Sequence, residues 1–267
     1  MGHFVWRTPE PGIGGLSGLK LAPDGSDFIA IGDRGIMVTG RLEREEGRIG
    51  AVTVTAVAPL RGTAGQPLTG HAADAEGLER APDGTLFVSF ERDHRVVSYA
   101  APGASARPLP RHPGFARLAS NNGLEALAMD ASGVLWAIAE SSGDWTQPFP
   151  VFRFADGNWT QPFGLPRRGP YLAVGAEFGP DGRLYLLERD FAGVLRGVSS
   201  RVRAFSLGAE GPLAEEEILV TPHGQFDNLE AIALWQEPGG ALRITLLSDD
   251  NFNALQRTEF VEFRIAP

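Results

Sequence analysis

Residues 121–140, "NNGLEALAMDASGVLWAIAE", read as two short strands joined by a tight turn. Each strand carries a carboxylate where a core strand wants none: Glu125 near the start of the first, Glu140 at the end of the second. The plan returns in "GLSGLKLAPDGSDFIAIGD", "DAEGLERAPDGTLFVSFER", "VGAEFGPDGRLYLLERD" and "NLEAIALWQEPGGALRITLLSDD". A polar residue opens an alternating strand, a Pro-Asp-Gly type turn follows, and a second strand ends in acid. Turn glycines Gly25, Gly84, Gly133 and Gly182 anchor four copies, with Ser17, Glu76, Glu125 and Val174 eight residues before them. A slightly longer turn before Gly240 puts Glu230 in the same place in the fifth copy. These positions are 59, 49, 49 and 56 residues apart.

Further strand-like runs such as "RVVSYA", "VFRFAD", "RVRAFSL" and "EEEILVT" follow the copies, with almost no helical periodicity. A tandem array of four-stranded units at this period predicts an all-β chain folded as a single β-propeller over residues 1–267. Five blades are expected. The last copy supplies three strands, and the N-terminal "HFVWR" is a strand without a unit, so pairing the two closes the ring and removes exposed edges. Six blades are the alternative if residues 60–75 or 141–172 hide a degenerate unit.

The 267 residues are 43% hydrophobic and 21% charged, enough for a sizeable core. A net charge of −9 argues against nucleic acid, whose phosphates demand a basic face. No cysteine is present, which excludes disulfides, thiolate metal sites and cysteine nucleophiles. Lys20 is the only lysine, so a Schiff-base mechanism has one candidate. No apolar run is long enough to span a membrane. The N-terminus, "MGHFVWRTPEPG", lacks a basic segment followed by an apolar one, so the chain as given predicts no signal peptide, and a cytoplasmic location stays open.

In a propeller the first strand of each blade lines the channel, so equivalent positions converge on the axis. Glu76, Glu125 and Glu230 are expected as a ring at one mouth, completed by Ser17, with Glu177 compensating for Val174. Glu91, Glu140 and Asp249 are expected either as an outer belt or at the other end. Converging carboxylates repel and need protons, arginines or a cation. Asp74, Asn121, Asn122, Asp227 and Asn228 stand beside them, and Asp, Glu and Asn together make a hard oxygen set suited to a divalent cation, calcium above all. Glu76, Asn122, Glu125, Asn228 and Glu230 are the metal candidates; without a His pair at zinc spacing, zinc does not fit. The plainer reading is that each Glu fastens its blade to the next. Asp74, Glu91, His71 and His94 are candidates for proton transfer. "LLSDDNFN" offers Asp249, Asp250 and Asn251 as an Asx-rich turn or a second ligand cluster. Arg34 and Arg189 could hold a substrate carboxylate or phosphate, or pair with the acid beside them. No G-x-S-x-G elbow, P-loop, dinucleotide fingerprint or H-E-x-x-H occurs.

"GGLSGL", "DRG", "DAEGL…PDGTLFVSFERDHRV", "GLEALA", "PDGRLYLLER" and "NLEAIA…LLSDDNF" closely resemble the phytase-like family, described as having esterase-like activity of phytase, over about residues 13–264. The resemblance implies a bacterial, often exported protein whose repeated acids carry the activity. It carries over Asp74, Glu76, Glu91, His94, Glu125, Glu188, Arg189, Glu230, Asp249, Asp250 and Asn251. Glu177 departs from it, standing where a smaller or neutral residue is expected. In logic the arrangement is also similar to calcium-dependent lactonase and arylesterase propellers.

The leading expectation is therefore a metal-assisted hydrolase of esters, lactones or phosphoesters, periplasmic or secreted and monomeric. A non-catalytic propeller binding a small ligand, sugar or envelope partner is the alternative, with Trp136, Trp145, Trp159 and Trp235 as stacking platforms. A lyase or isomerase using the acids as an acid–base device is the third.

Overall fold

The computed structural model describes residues 1–8, 10, 12–120 and 122–265; Asn121 lies outside the described residues. It is a ring of five four-stranded antiparallel sheets. After β1 (Gly2–Val5), blade 1 holds β2 (Leu16–Leu21), β3 (Asp27–Gly32), β4 (Ile36–Glu45) and β5 (Arg48–Pro59). Blade 2 holds β6 (Ala75–Arg80), β7 (Leu86–Phe90), β8 (Arg95–Tyr99) and the short β9 (Arg107–Pro108). Blade 3 holds β10 (Ala126–Met129), β11 (Leu135–Ile138), β12 (Phe149–Ala155) and β13 (Asn158–Leu165). Blade 4 holds β14 (Leu172–Phe178), β15 (Leu184–Phe191), β16 (Val198–Gly208) and β17 (Gly211–Val220). Blade 5 holds β18 (Asn228–Gln236), β19 (Leu242–Asp249) and β20 (Glu259–Ile265).

The fifth blade is completed by β1, which pairs with β20 from Gly2↔Glu262 to Val5↔Glu259. No sixth blade exists among the described residues: the stretch after β5 makes isolated bridges and a 3-10 turn at Gly70–Ala73, and residues 149–165 form the outer strands of blade 3. No helix among the described residues is long and apolar enough to cross a membrane.

Local chemistry explains the hairpins. In the turns between first and second strands, Asp24, Asp83, Asp130 and Asp181 each accept the backbone N–H two residues on through Oδ1, at 2.9–3.1 Å. The glycine within each turn takes the left-handed φ that this geometry needs, +73° to +90°. Side chains then alternate between the two faces of each sheet, so each strand feeds two cores. Leu184 and Leu186 of β15 pack with blade 3, Tyr185 and Leu187 with blade 5. The five hydrophobic clusters correspond to the five seams between neighbouring blades. The ring is thus held by lateral apolar packing and its axis is left to polar side chains.

Candidate functional site

Four of the first strands slip register against their second strand, at Leu16/Gly18, Ala75/Leu78, Ala173/Gly175 and Leu229/Ala231. The residues left unpaired there are Ser17, Glu76 with Gly77, Val174 and Glu230. A bulge re-aims a side chain out of the pleat, and here it serves the repeat position that lines the axis. Glu125 takes the equivalent place just ahead of β10. The next residue is small in every blade: Gly18, Gly77, Ala126, Gly175, Ala231. A Cβ on Gly77 would lie 2.6 Å from Ser89 Oγ and 3.0 Å from the Leu127 nitrogen, so neighbouring first strands approach this closely only without one.

The ends of the second strands reach the same mouth, which corrects the expectation of an outer belt or of the opposite end. In an antiparallel hairpin the last residue of the second strand lies beside the first residue of the first. Asn228 pairs with Asp249, the Glu91 N–H bonds the Asp74 carbonyl at 2.9 Å, and the Glu140 N–H bonds the Gly123 carbonyl at 3.0 Å. Asp33 ends β3 equivalently; it closes the first quoted repeat, and that position is the signal that should have placed it with the others. The fifth member of this set is Arg189. Blade 4 therefore breaks the acidic pattern twice, with Val174 on the first strand and Arg189 on the second.

Arg189 organises its side of the mouth. Its Nη1 donates to Asn228 Oδ1 at 2.9 Å and to Glu230 Oε1, and its Nη2 donates to Glu140 Oε1 at 3.3 Å. Asn228 Nδ2 also donates to Glu230 at 2.8 Å. Glu230 and Asn228, read from the sequence as metal ligands, are thus engaged by a guanidinium. On the other side, among blades 1 to 3, carboxylates outnumber cations. Burial, then the charges of Glu125 and Glu230, push Glu76 well above the usual carboxylate range. Burial, then Glu140 and Glu230, do the same to Glu125, against the pull of Arg189. Burial raises Asp33 to about 6, Glu140 to about 7 and Asp249 to about 8. Asp33 Oδ1 is buried without a hydrogen-bond partner among the described residues.

One oxygen from each of Asp74, Glu76 and Glu91 can be chosen so that the three lie within 4.8 Å of one another. Three hard oxygen donors, buried or half-buried and crowded with like charge, form a set that can hold a metal ion. Arg92 compensates only its edge, donating from Nε to Asp74 Oδ2 at 2.7 Å.

The remaining candidates lie elsewhere or are already engaged. Glu177 does not compensate for Val174: three residues down a strand is about 10 Å along the axis, which puts it at the opposite mouth. There it bonds Lys20, which also contacts Glu79 Oε1 at 2.8 Å. This hydrogen-bonded triad joins blades 1, 2 and 4 at a cleft of about 830 Å³. On the axis itself a space of only about 10 Å³, scarcely room for one water, is bordered by Ser17, Glu125 and the small residues Gly18, Gly77, Gly175 and Ala231. His94 turns away from the mouth, its Nε2 bonded to the Ala119 carbonyl at 3.1 Å, and His71 is exposed on the 3-10 turn before Asp74. Asp249 and Asp250 accept the N–H groups of Asn251 and Phe252, the Asx-turn reading of this stretch; Asp250 also accepts from Gly15 N and Thr258 Oγ1. Asn251 and Arg34 are exposed, and Arg34 stacks on Phe252 at 3.4 Å. Asn122 is half-buried, its backbone N–H bonded to the Ala119 carbonyl at 3.0 Å. Glu188, fully buried, is bound by Arg201 and Arg203 away from the axis. Of the tryptophans, Trp136, Trp159 and Trp235 are buried and Trp145 is exposed.

A family model for phytase-like proteins, described as esterase-like activity of phytase, matches residues 11–252. The chain belongs to the phytase-like family. No curated protein matches it. Among solved structures, this phytase-like chain is similar to an endo-arabinase from Bacteroides thetaiotaomicron at 12% identity and a TM-score of 0.55, over 95% of this chain and 94% of that one. The PQQ-bound aldose sugar dehydrogenase from Streptomyces coelicolor is similar at 16% identity and a TM-score of 0.49, over 98% of both chains. At such identities the arabinase likeness speaks for the fold alone.

Proposed function

We propose that this phytase-like propeller is a divalent-cation-assisted hydrolase of esters, lactones or phosphoesters that works at the acidic mouth. The observation that carries the reading is the meeting of Asp74, Glu76 and Glu91 on the side of the mouth that Arg189 does not neutralise. The donor set fits a hard cation such as calcium, which would be held by these three with Glu125 beside them. When bound, such an ion polarises an ester or phosphoryl oxygen.

The chain's own groups supply the rest. Glu140 and Asp249, raised to about 7 and about 8, exchange protons near neutrality and suit proton transfer to and from water and the leaving group. Arg189 holds Glu140 and Glu230 in place and sets a positive charge opposite the acid trio, where an anionic oxygen gains from it. An exported location, periplasmic or secreted, belongs to this proposal and rests on the family.

The test is activity on a panel of aryl esters, lactones and phosphoesters, together with metal analysis of the purified protein. Turnover lost in a calcium chelator and restored by calcium supports the reading. Full turnover in chelator removes the cation from it. The second reading, a non-catalytic ligand-binding propeller, draws on the Arg189 network, which by itself ties blades 3, 4 and 5. Absence of turnover across the panel, with no bound metal, would favour it.

A further inference from the structure

On the rim beside the acidic mouth, between blades 2 and 3, lies a second cleft of about 400 Å³, lined by residues including Arg92, Asp93, Arg111, His112 and Ser120. Its character is opposite to the mouth's, in a chain of net charge −9. Asp93, its carboxylate, is held by Arg111 through Nη1 at 2.7 Å and Nη2 at 3.0 Å, and Arg95 Nη1 lies 3.4 Å away. That bidentate grip cancels the acid within the cleft.

Two donors remain. Arg92 sits in a tight turn with a left-handed φ of +57°, a conformation that a non-glycine residue adopts at a cost and keeps only where its surroundings enforce it. Its Nε bonds Asp74, while its terminal Nη groups have no partner among the described residues. His112 Nδ1 accepts the Gly114 N–H at 3.0 Å, which leaves the hydrogen of the neutral ring on Nε2, free to donate. The ring is fixed against Phe152, 5.2 Å between centroids, and a Cβ at Gly114 would come within 2.7 Å of His112 Nδ1. The site is therefore built to hold this imidazole in one orientation.

We propose that this cleft binds an oxyanion, a phosphate or carboxylate group, through Arg92 and His112. A charged and a neutral N–H donor lining one cleft beside a neutralised carboxylate suit an oxygen anion. Because Arg92 also holds Asp74 of the acid trio, the anion sits next to the proposed hydrolytic centre. Resting on the hydrolase reading, the substrate then carries this anionic arm in addition to the bond that is cut.

The test has two arms. In calcium-free buffer, inorganic phosphate and acetate are titrated calorimetrically into the wild type, Arg92→Gln and His112→Asn. The Asn variant keeps an acceptor for Gly114 N–H and removes the Nε2 donor, and unchanged melting temperatures verify both folds. Binding weakened about tenfold or more in both variants supports the site; the anion affected tells phosphate from carboxylate. No binding to the wild type, or equal binding to all three proteins, overturns it. Where an ester is turned over, KM for an anion-bearing ester should rise about tenfold in His112→Asn, with kcat and the matched neutral ester unchanged. Equal KM values would remove the link to the substrate while leaving the hydrolase reading intact.

Discussion

Glu188 and Arg189 are chain neighbours in β15 that point into different networks. Glu188 takes Nε bonds from Arg201 at 2.9 Å and Arg203 at 2.7 Å inside blade 4, whereas Arg189 crosses to Asn228 and Glu230 of blade 5 and to Glu140 of blade 3. Successive strand residues face opposite sides of a sheet, so this acid and this base cannot satisfy each other.

Replacing Arg189 by Met leaves Glu140 and Glu230 buried without their counter-charge. Breaking a buried pair from one side costs about 3–5 kcal/mol, and the 22% exposure of the Arg189 side chain places the expected loss at the low end. Thermal melting should show the drop, and adding Glu230→Gln to Arg189→Met should return part of it. A full loss that the second substitution does not relieve would contradict the charge argument.

Glu76→Gln has two opposed effects. In metal-free protein it removes a carboxylate whose pKa burial and like charges have raised, so the melting temperature should rise. In calcium the wild type should gain about 2.7 kcal/mol at a hundredfold excess over Kd, and the variant should gain far less. Equal calcium shifts in both proteins would place the ion elsewhere.

Glu177 makes stability at the opposite mouth pH-dependent. Burial raises it from the ordinary 4.5 to about 8 against the pull of Lys20. The folded protein then holds a proton that the unfolded chain has lost between these values, so stability falls as pH rises through that window and levels off above about 8. The contribution is on the order of a few kcal/mol at most. Melting from pH 4.5 to 9, wild type against Glu177→Gln, isolates it: the variant's curve should be flatter. Parallel curves would show that Glu177 titrates normally.

Gly77→Val should be among the most damaging single substitutions on the axis. Its branched side chain would enter space where a Cβ alone already comes 2.6 Å from Ser89 Oγ and 3.0 Å from the Leu127 nitrogen. Forced overpacking costs about 1–3 kcal/mol or more. Chemical denaturation measures it, and an unchanged midpoint would show that the first strands can separate.

The ring, its five blades and its closure were legible because each hairpin repeats a turn with its own chemistry, Asp for the Asx bond and Gly for the left-handed φ. The convergence of Glu76, Glu125 and Glu230 followed from equal repeat position. What escaped was three-dimensional bookkeeping within the hairpin. Glu91, Glu140 and Asp249 share the first-strand mouth because antiparallel strands return to their origin, and Asp33 belongs with them. Glu177 lies too far down its strand to stand in for Val174. The partners of Arg189 are set by which blades adjoin at the axis, and the orientation of His112 is fixed only through a glycine two residues on.

The fifth blade joins strands from far apart in the sequence, β1 lying against β20. The circle therefore cannot close until those two segments meet, a contact of great sequence separation and high entropic cost. Its formation is expected late in folding, and weakening β1 should open the ring at that one seam before the other blades loosen.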